Sequence, residues 1–139
     1  SIITKENYRV KLLFFLLKET LLVEADKERI VGVISNLLSN AIKFTKEGEI
    51  FVSTEKREDN NNNYALVTVK DTGDGIDPEI LPKIFSKFIT KSFEGIGLGL
   101  YISKYIVEVH GGKISAENNI DGKGATFSFS LPLFKSKNK

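Results

Sequence analysis

The chain has 139 residues, enough for one domain with a sizeable core. Charged residues make up 27% and the formal balance is +2, too mild a basic excess to indicate a nucleic-acid partner. There is no cysteine, which excludes disulfides and thiolate metal sites and accords with a cytoplasmic setting. The longest apolar run, Leu12 to Leu17, falls far short of the roughly 18 residues a membrane helix needs and is expected to be a buried strand. With no methionine and a first residue Ser1, the chain is expected to be a piece of a longer protein, one whose other parts can include a membrane anchor.

In chain order, the pattern predicts a strand near 8–16, another near 21–25, and a long helix from a cap at Asp26 to about Phe44. Strands near 48–57 and 64–71 flank an Asn-rich stretch suited to a hairpin. Asp77 and Pro78 supply a cap and a first-turn proline for a short helix. A helix over 98–110 carries Leu98, Ile102, Ile106 and Val109 as its apolar stripe and stops at Gly111 and Gly112. Strands near 112–118 and 124–132 follow, and the basic tail reads as a frayed terminus. The expected fold is an α/β (α+β) two-layer sandwich, with about three helices on one face of a mixed, mostly antiparallel sheet of about five strands.

Within the long helix, Asn36, Asn40 and Lys43 stand at i, i+4 and i+7 and share one face, while Ile34, Leu37, Leu38, Ala41 and Ile42 fill the other directions. Asparagine is a poor helix-interior residue and is costly to bury unpaired, so the stripe needs partners. An Asn carbonyl oxygen can hold Mg²⁺ and a Lys ammonium can meet phosphate oxygens, although the same amides can also cap a neighbouring loop. Farther on, an alternating strand ends at Asp71, followed by Gly73 and Gly75. A carboxylate there can accept a hydrogen bond from an exocyclic amine such as that of adenine; D-x-G-x-G is also a common turn. Gly95, Gly97 and Gly99 open the 98–110 helix, where free backbone N–H groups and the helix dipole suit phosphate.

These blocks, in this order, resemble the ATP-binding catalytic domain of sensor histidine kinases, within the ATPase/kinase (GHKL) superfamily shared with gyrase, MutL and the large heat-shock chaperones. Asn36 to Thr45 resembles the N box, Asp71 to Ile76 the first glycine box, Ile84 to Phe88 the F box, and Gly95 to Leu100 the second glycine box. The resemblance extends from about Ala25 to Leu133. It implies that Asn40 is the Mg²⁺ ligand, that Asn36 lies near the phosphates, and that Lys43 contacts phosphate. It places Phe44 beside the adenine, Asp71 on the adenine amino group, and Gly73 and Gly75 under the flat base. Gly95, Gly97, Leu98, Gly99 and Leu100 then shape the lid hinge and the phosphate-side helix start. Lys91, or less directly Lys87, stands where the lid supplies a cation.

Gyrase-like and chaperone members carry a Glu one turn before the metal-binding Asn, to activate water. Asn36 occupies that place here, and a neutral amide is no general base. The expected function is therefore to hold Mg-ATP for γ-phosphoryl transfer to a histidine on a separate dimerisation hairpin, with a response regulator downstream. No such hairpin is present, so the fragment is expected to be monomeric and its parent a homodimer. The alternatives are an ATP-hydrolysing member of the superfamily and a nucleotide-free interaction module. His110, the sole histidine, is expected to cap or pack. Phe85 and Phe88 are expected in the core, with docking against the hairpin as the alternative. Two departures from the family pattern are Ile96, where Thr is more frequent, and Ala125, where Ser or Thr is common.

Overall fold

A computed structural model describes residues 9–15, 19–88 and 98–134. Its longest helix, α1 (Lys27–Phe44), starts where the sequence places a cap: the Asp26 carboxylate accepts from the Arg29 N–H at 3.3 Å. Glu28 in the first turn and Lys43 in the last both complement the helix dipole. Val33, Leu37 and Ala41, spaced four apart, form the buried stripe, and fully burying side chains such as Val33 and Leu37 contributes about 1.5–3 kcal/mol each. The Asn36–Asn40 stripe begins three residues on, which is roughly 60° round the helix. It therefore borders the core and is half-buried.

Strands β1 (Val10–Phe15), β2 (Gly48–Asp59), β3 (Asn62–Asp71), β4 (Ile114–Asn118) and β5 (Ala125–Pro132) form one sheet in the order β1-β2-β3-β5-β4. Only β1 and β2 run parallel, and α1 is the crossover that parallel neighbours require. Asn60 and Asn61 close the β2–β3 hairpin at positive φ, a conformation Asn tolerates better than most residues. Alternation puts Ile50 and Val52, Val69, and Phe127, Phe129 and Leu131 on the helix side, with Val69 opposite Phe127 and Val67 opposite Phe129. The opposite face carries the Thr68–Ser128 hydroxyl pair at 3.2 Å and the stacked rings of Phe15 and Phe51.

The second α-helix, α2 (Gly99–Val109), buries Ser103 and Val107 and ends as expected: the Gly112 N–H reaches Val107 O at 2.9 Å past Gly111, whose φ is +85°. Beyond it, His110 ties the two helices together. Its Nε2 accepts from the Asp26 N–H at 3.0 Å, which requires Nδ1 to be the protonated nitrogen, donating to Ile106 O at 2.7 Å. The cap at the start of α1 is thus held by the end of α2. His110→Ala is expected to cost about 1 kcal/mol, measured by urea unfolding, because it removes the hydrogen bond that ties the two helices together. An unchanged midpoint would remove His110 from the stabilising contacts.

Three expectations are corrected. Residues 21–25 form no strand: Leu22 O accepts from the Phe134 N–H at 2.7 Å, but no further bond makes a ladder among the described residues. The helix after Pro78 is a turn followed by a short 3₁₀ helix, Leu81–Lys83, because Pro82 has no N–H to continue an α-helical ladder. The α-helices among the described residues are therefore two. Ile42, expected among the core-facing residues of α1, is 38% exposed.

Candidate functional site

Three segments distant in sequence are joined through α1, whose end meets the turn after β3 and whose middle meets the start of α2. The Asp74 N–H donates to Phe44 O at 3.3 Å, which seats the first glycine turn on the end of α1. The Asn36 amide donates to Ser103 Oγ at 3.2 Å, joining α1 to α2. Gly99, the first residue of α2, lies so near that a Cβ there would be 2.8 Å from Asn36 Oδ1. A side chain at 99 would displace the asparagine, so the second glycine box is fitted to the N box by contact.

Asp71, the last residue of β3, is only 4% exposed. Its Oδ1 accepts from the Gly73 N–H at 2.9 Å and the Ala125 N–H at 3.2 Å. Oδ2 has no hydrogen bond among the described residues, so one oxygen is anchored and the other can accept. Burial pushes the carboxyl above its ordinary range; the two N–H donors pull it back in part, and neighbouring Asp74 raises it. A buried, oriented acceptor beside a turn with Gly75 at φ +81° is suited to the edge of a flat heterocycle carrying an amine.

On α1, Asn40 is half-buried and its side chain makes no hydrogen bond among the described residues. Lys43 is exposed, with its ammonium 5.8 Å from the Phe44 ring centroid. Phe44 is 48% exposed at the helix end, a ring beside the site rather than in the core. Leu98 is half-buried just ahead of α2, and Leu100 packs against the core cluster. Lys91, Gly95, Gly97 and Ile96 lie outside the described residues. Lys87, the other lid candidate, sits over the Tyr101 ring at 5.1 Å.

The F-box pair divides. Phe85 packs edge-on against Phe127 at 6.3 Å, whereas Phe88, expected in the core, is 66% exposed at φ +62°. Sequence reasoning missed Asn118 and Asn119, whose amides hold the loop that carries Asp71 and Gly75. Two asparagines ahead of an Asp-Gly pair read as turn formers, and no local pattern reveals a partner more than 40 residues away. Thr126 Oγ1 donates to Asn119 Oδ1 and is engaged there.

A sheet strand ending in a buried acid, faced by an asparagine-striped helix and a glycine-started one, defines a nucleotide-binding α/β sandwich. Residues 25–135 match the family model described as histidine kinase-, DNA gyrase B-, and HSP90-like ATPase, and the chain belongs to that family. It is 40% identical over 113 residues to the sensor protein SrrB of Staphylococcus aureus (strain NCTC 8325 / PS 47), covering 77% of this chain and 19% of SrrB. The chain thus spans about a fifth of the length of the curated relatives it matches. Among solved structures, the catalytic domain of histidine kinase ThkA superposes with a TM-score of 0.77 at 39% identity, over 89% of this chain and 79% of that one. Full-length ShkA in complex with AMPPNP gives 0.77 at 26% identity, over 91% of this chain and 26% of that one. This chain is the ATP-binding domain type of sensor histidine kinases.

Proposed function

We propose that this domain binds Mg-ATP and presents its γ-phosphoryl group to a histidine on a separate dimerisation hairpin of a longer kinase, which passes it to a response regulator. The observation that carries this is Asp71, buried with one carboxylate oxygen anchored by Gly73 and Ala125 and the other open to the adenine amino group. Gly73 and Gly75 form the turn under the base, and Phe44 flanks it. Lys43, Gly95, Gly97 and the α2 start at Gly99 take the phosphates, and Lys91 is the lid cation. Asn40, a half-buried amide with no hydrogen bond among the described residues, fits a Mg²⁺ ligand. When bound, the ion offsets the charge of the phosphate oxygens.

Asn36 disfavours the ATPase alternative. Its amide is neutral and donates to Ser103, so the residue placed to activate water has no basic function to offer. The domain then contributes positioning and charge stabilisation, and the nucleophile comes from elsewhere. Phe88, exposed, is available to the hairpin. We place the domain in the cytoplasm, where ATP is supplied.

Calorimetric titration with a non-hydrolysable ATP analogue, with and without Mg²⁺, tests the proposal. Saturable binding that strengthens with Mg²⁺ is expected, and a parallel incubation of the domain with ATP should release no phosphate. Rapid turnover by the isolated domain would favour the ATPase alternative, and no binding by the folded chain would favour the nucleotide-free module.

A further inference from the structure

Asn118 closes β4 and makes two bonds to one residue on another loop. Its Oδ1 accepts from the Ile76 N–H at 2.7 Å and its Nδ2 donates to Ile76 O at 2.8 Å. The side-chain amide thus pairs with a backbone unit much as a neighbouring strand would. Ile76 follows Gly75, and a Cβ at Gly75 would lie 3.0 Å from Asn118 Oδ1, so the clamp and the turn are in contact. Asn119 holds the other end of the same loop, its Nδ2 donating to Asp71 O at 2.8 Å and to Lys123 O at 2.7 Å.

The consequence is geometric. Ladder pairing of β3 with β5 ends at Lys70 opposite Thr126, although Asp71 still pairs with Ile50 of β2, so the loop from Thr72 to Ile76 has no ladder on its β5 side. On that side two side-chain amides tie both ends of the loop to β4 and its hairpin, while Thr72 and Asp74 N–H bond to β2 and α1 on the other. A loop left free would have to be ordered by the ligand, at a cost in affinity.

We propose that Asn118 is a positioning residue for the base pocket: it fixes the Gly75–Ile76 peptide so that the glycine turn and Asp71 present one pre-formed edge to adenine. The role rests on the nucleotide-binding function proposed above. Asn118 acts through Ile76 and touches no reacting group. Ala125, directly opposite Asn118 in the β4–β5 register, brings no hydroxyl of its own, and Thr126 spends its hydroxyl on Asn119, so Asn118 is the side chain that reaches Ile76.

The test uses the whole chain, ADP and GDP as probes, and amide hydrogen exchange at Ile76. In Asn118→Ala the Ile76 amide should lose protection while those of β3 and β5 keep theirs. ADP affinity should fall by about tenfold and the ratio of ADP to GDP affinity should narrow. A purely structural role would lower the melting temperature without narrowing that ratio. If the alanine variant fails to fold, Asn118→Asp is read by affinity alone: it keeps the acceptor for Ile76 N–H, so that amide stays protected, but it loses the donor to Ile76 O, and ADP affinity and the ADP-to-GDP ratio should still fall. ADP affinity within twofold of the parent's, or an unchanged ADP-to-GDP ratio, would overturn the assignment. A parent chain that binds no ADP would instead overturn the nucleotide-binding function itself.

Discussion

Asp71→Asn is expected to abolish measurable adenine-nucleotide binding while making the fold more stable at neutral pH. The two effects share one cause. The carboxylate is almost wholly buried, and burial raises its pKa above the ordinary range. A carboxyl whose folded pKa exceeds its unfolded value holds more protons folded than unfolded between those two values. Stability therefore falls as pH rises through that window, and the penalty persists above it. Asn carries no charge, yet its Oδ1 can still accept from the Gly73 and Ala125 N–H groups, so the penalty goes and the anchoring stays. Toward the ligand the outcome reverses, because the free carboxylate oxygen becomes an NH₂ facing the amine of the base. Loss of a charged hydrogen bond costs about 1.5–3 kcal/mol, and the facing donors add to it, so affinity should drop by roughly a hundredfold or more. Urea unfolding across roughly pH 4–8 should show the parent losing stability relative to the variant as pH rises. A variant less stable than the parent at neutral pH would refute the burial penalty.

Such a trade of stability for binding is expected at functional sites, and it was legible here because Asp71 ends an alternating strand just before a glycine turn. The Asp26 cap, the extent of α1 and the hairpin at Asn60–Asn61 were equally legible, since each is decided by neighbours within a few residues. Segment 21–25 was not, because a strand needs a partner edge and Leu22 O goes instead to Phe134. The split between Phe85 and Phe88 turns on a single positive φ, which no hydrophobic pattern encodes. The asparagine clamps failed to register for a related reason: their partners lie 42 and 48 residues away in sequence. Local patterns thus located the groups proposed to face the ligand. The side chains that hold those groups in place became visible only with the tertiary structure.

Asn40→Ala should produce the largest loss of phosphoryl transfer. Asn40 sits one turn beyond Asn36, half-buried on the stripe that borders the core, and its side chain has no hydrogen bond among the described residues. In a helix interior Asn is disfavoured against Ala by about 0.5 kcal/mol, so the substitution should leave the fold intact or strengthen it. If the amide oxygen holds Mg²⁺, its removal should erase the Mg²⁺-dependent part of ATP-analogue binding and spare the part due to the base. Transfer to a histidine-bearing hairpin supplied in trans should then fall by about 10²–10³-fold, the usual effect of losing one preorganised electrostatic contact to the reacting group. The comparison with Asp71→Asn separates the two halves of the site. One variant should lose the base and keep the fold, and the other should lose the metal and keep the base. If Asn40→Ala retained full Mg²⁺ dependence and full transfer, the N-box stripe would have to be reassigned to a structural role, and the metal ligand sought elsewhere in the chain.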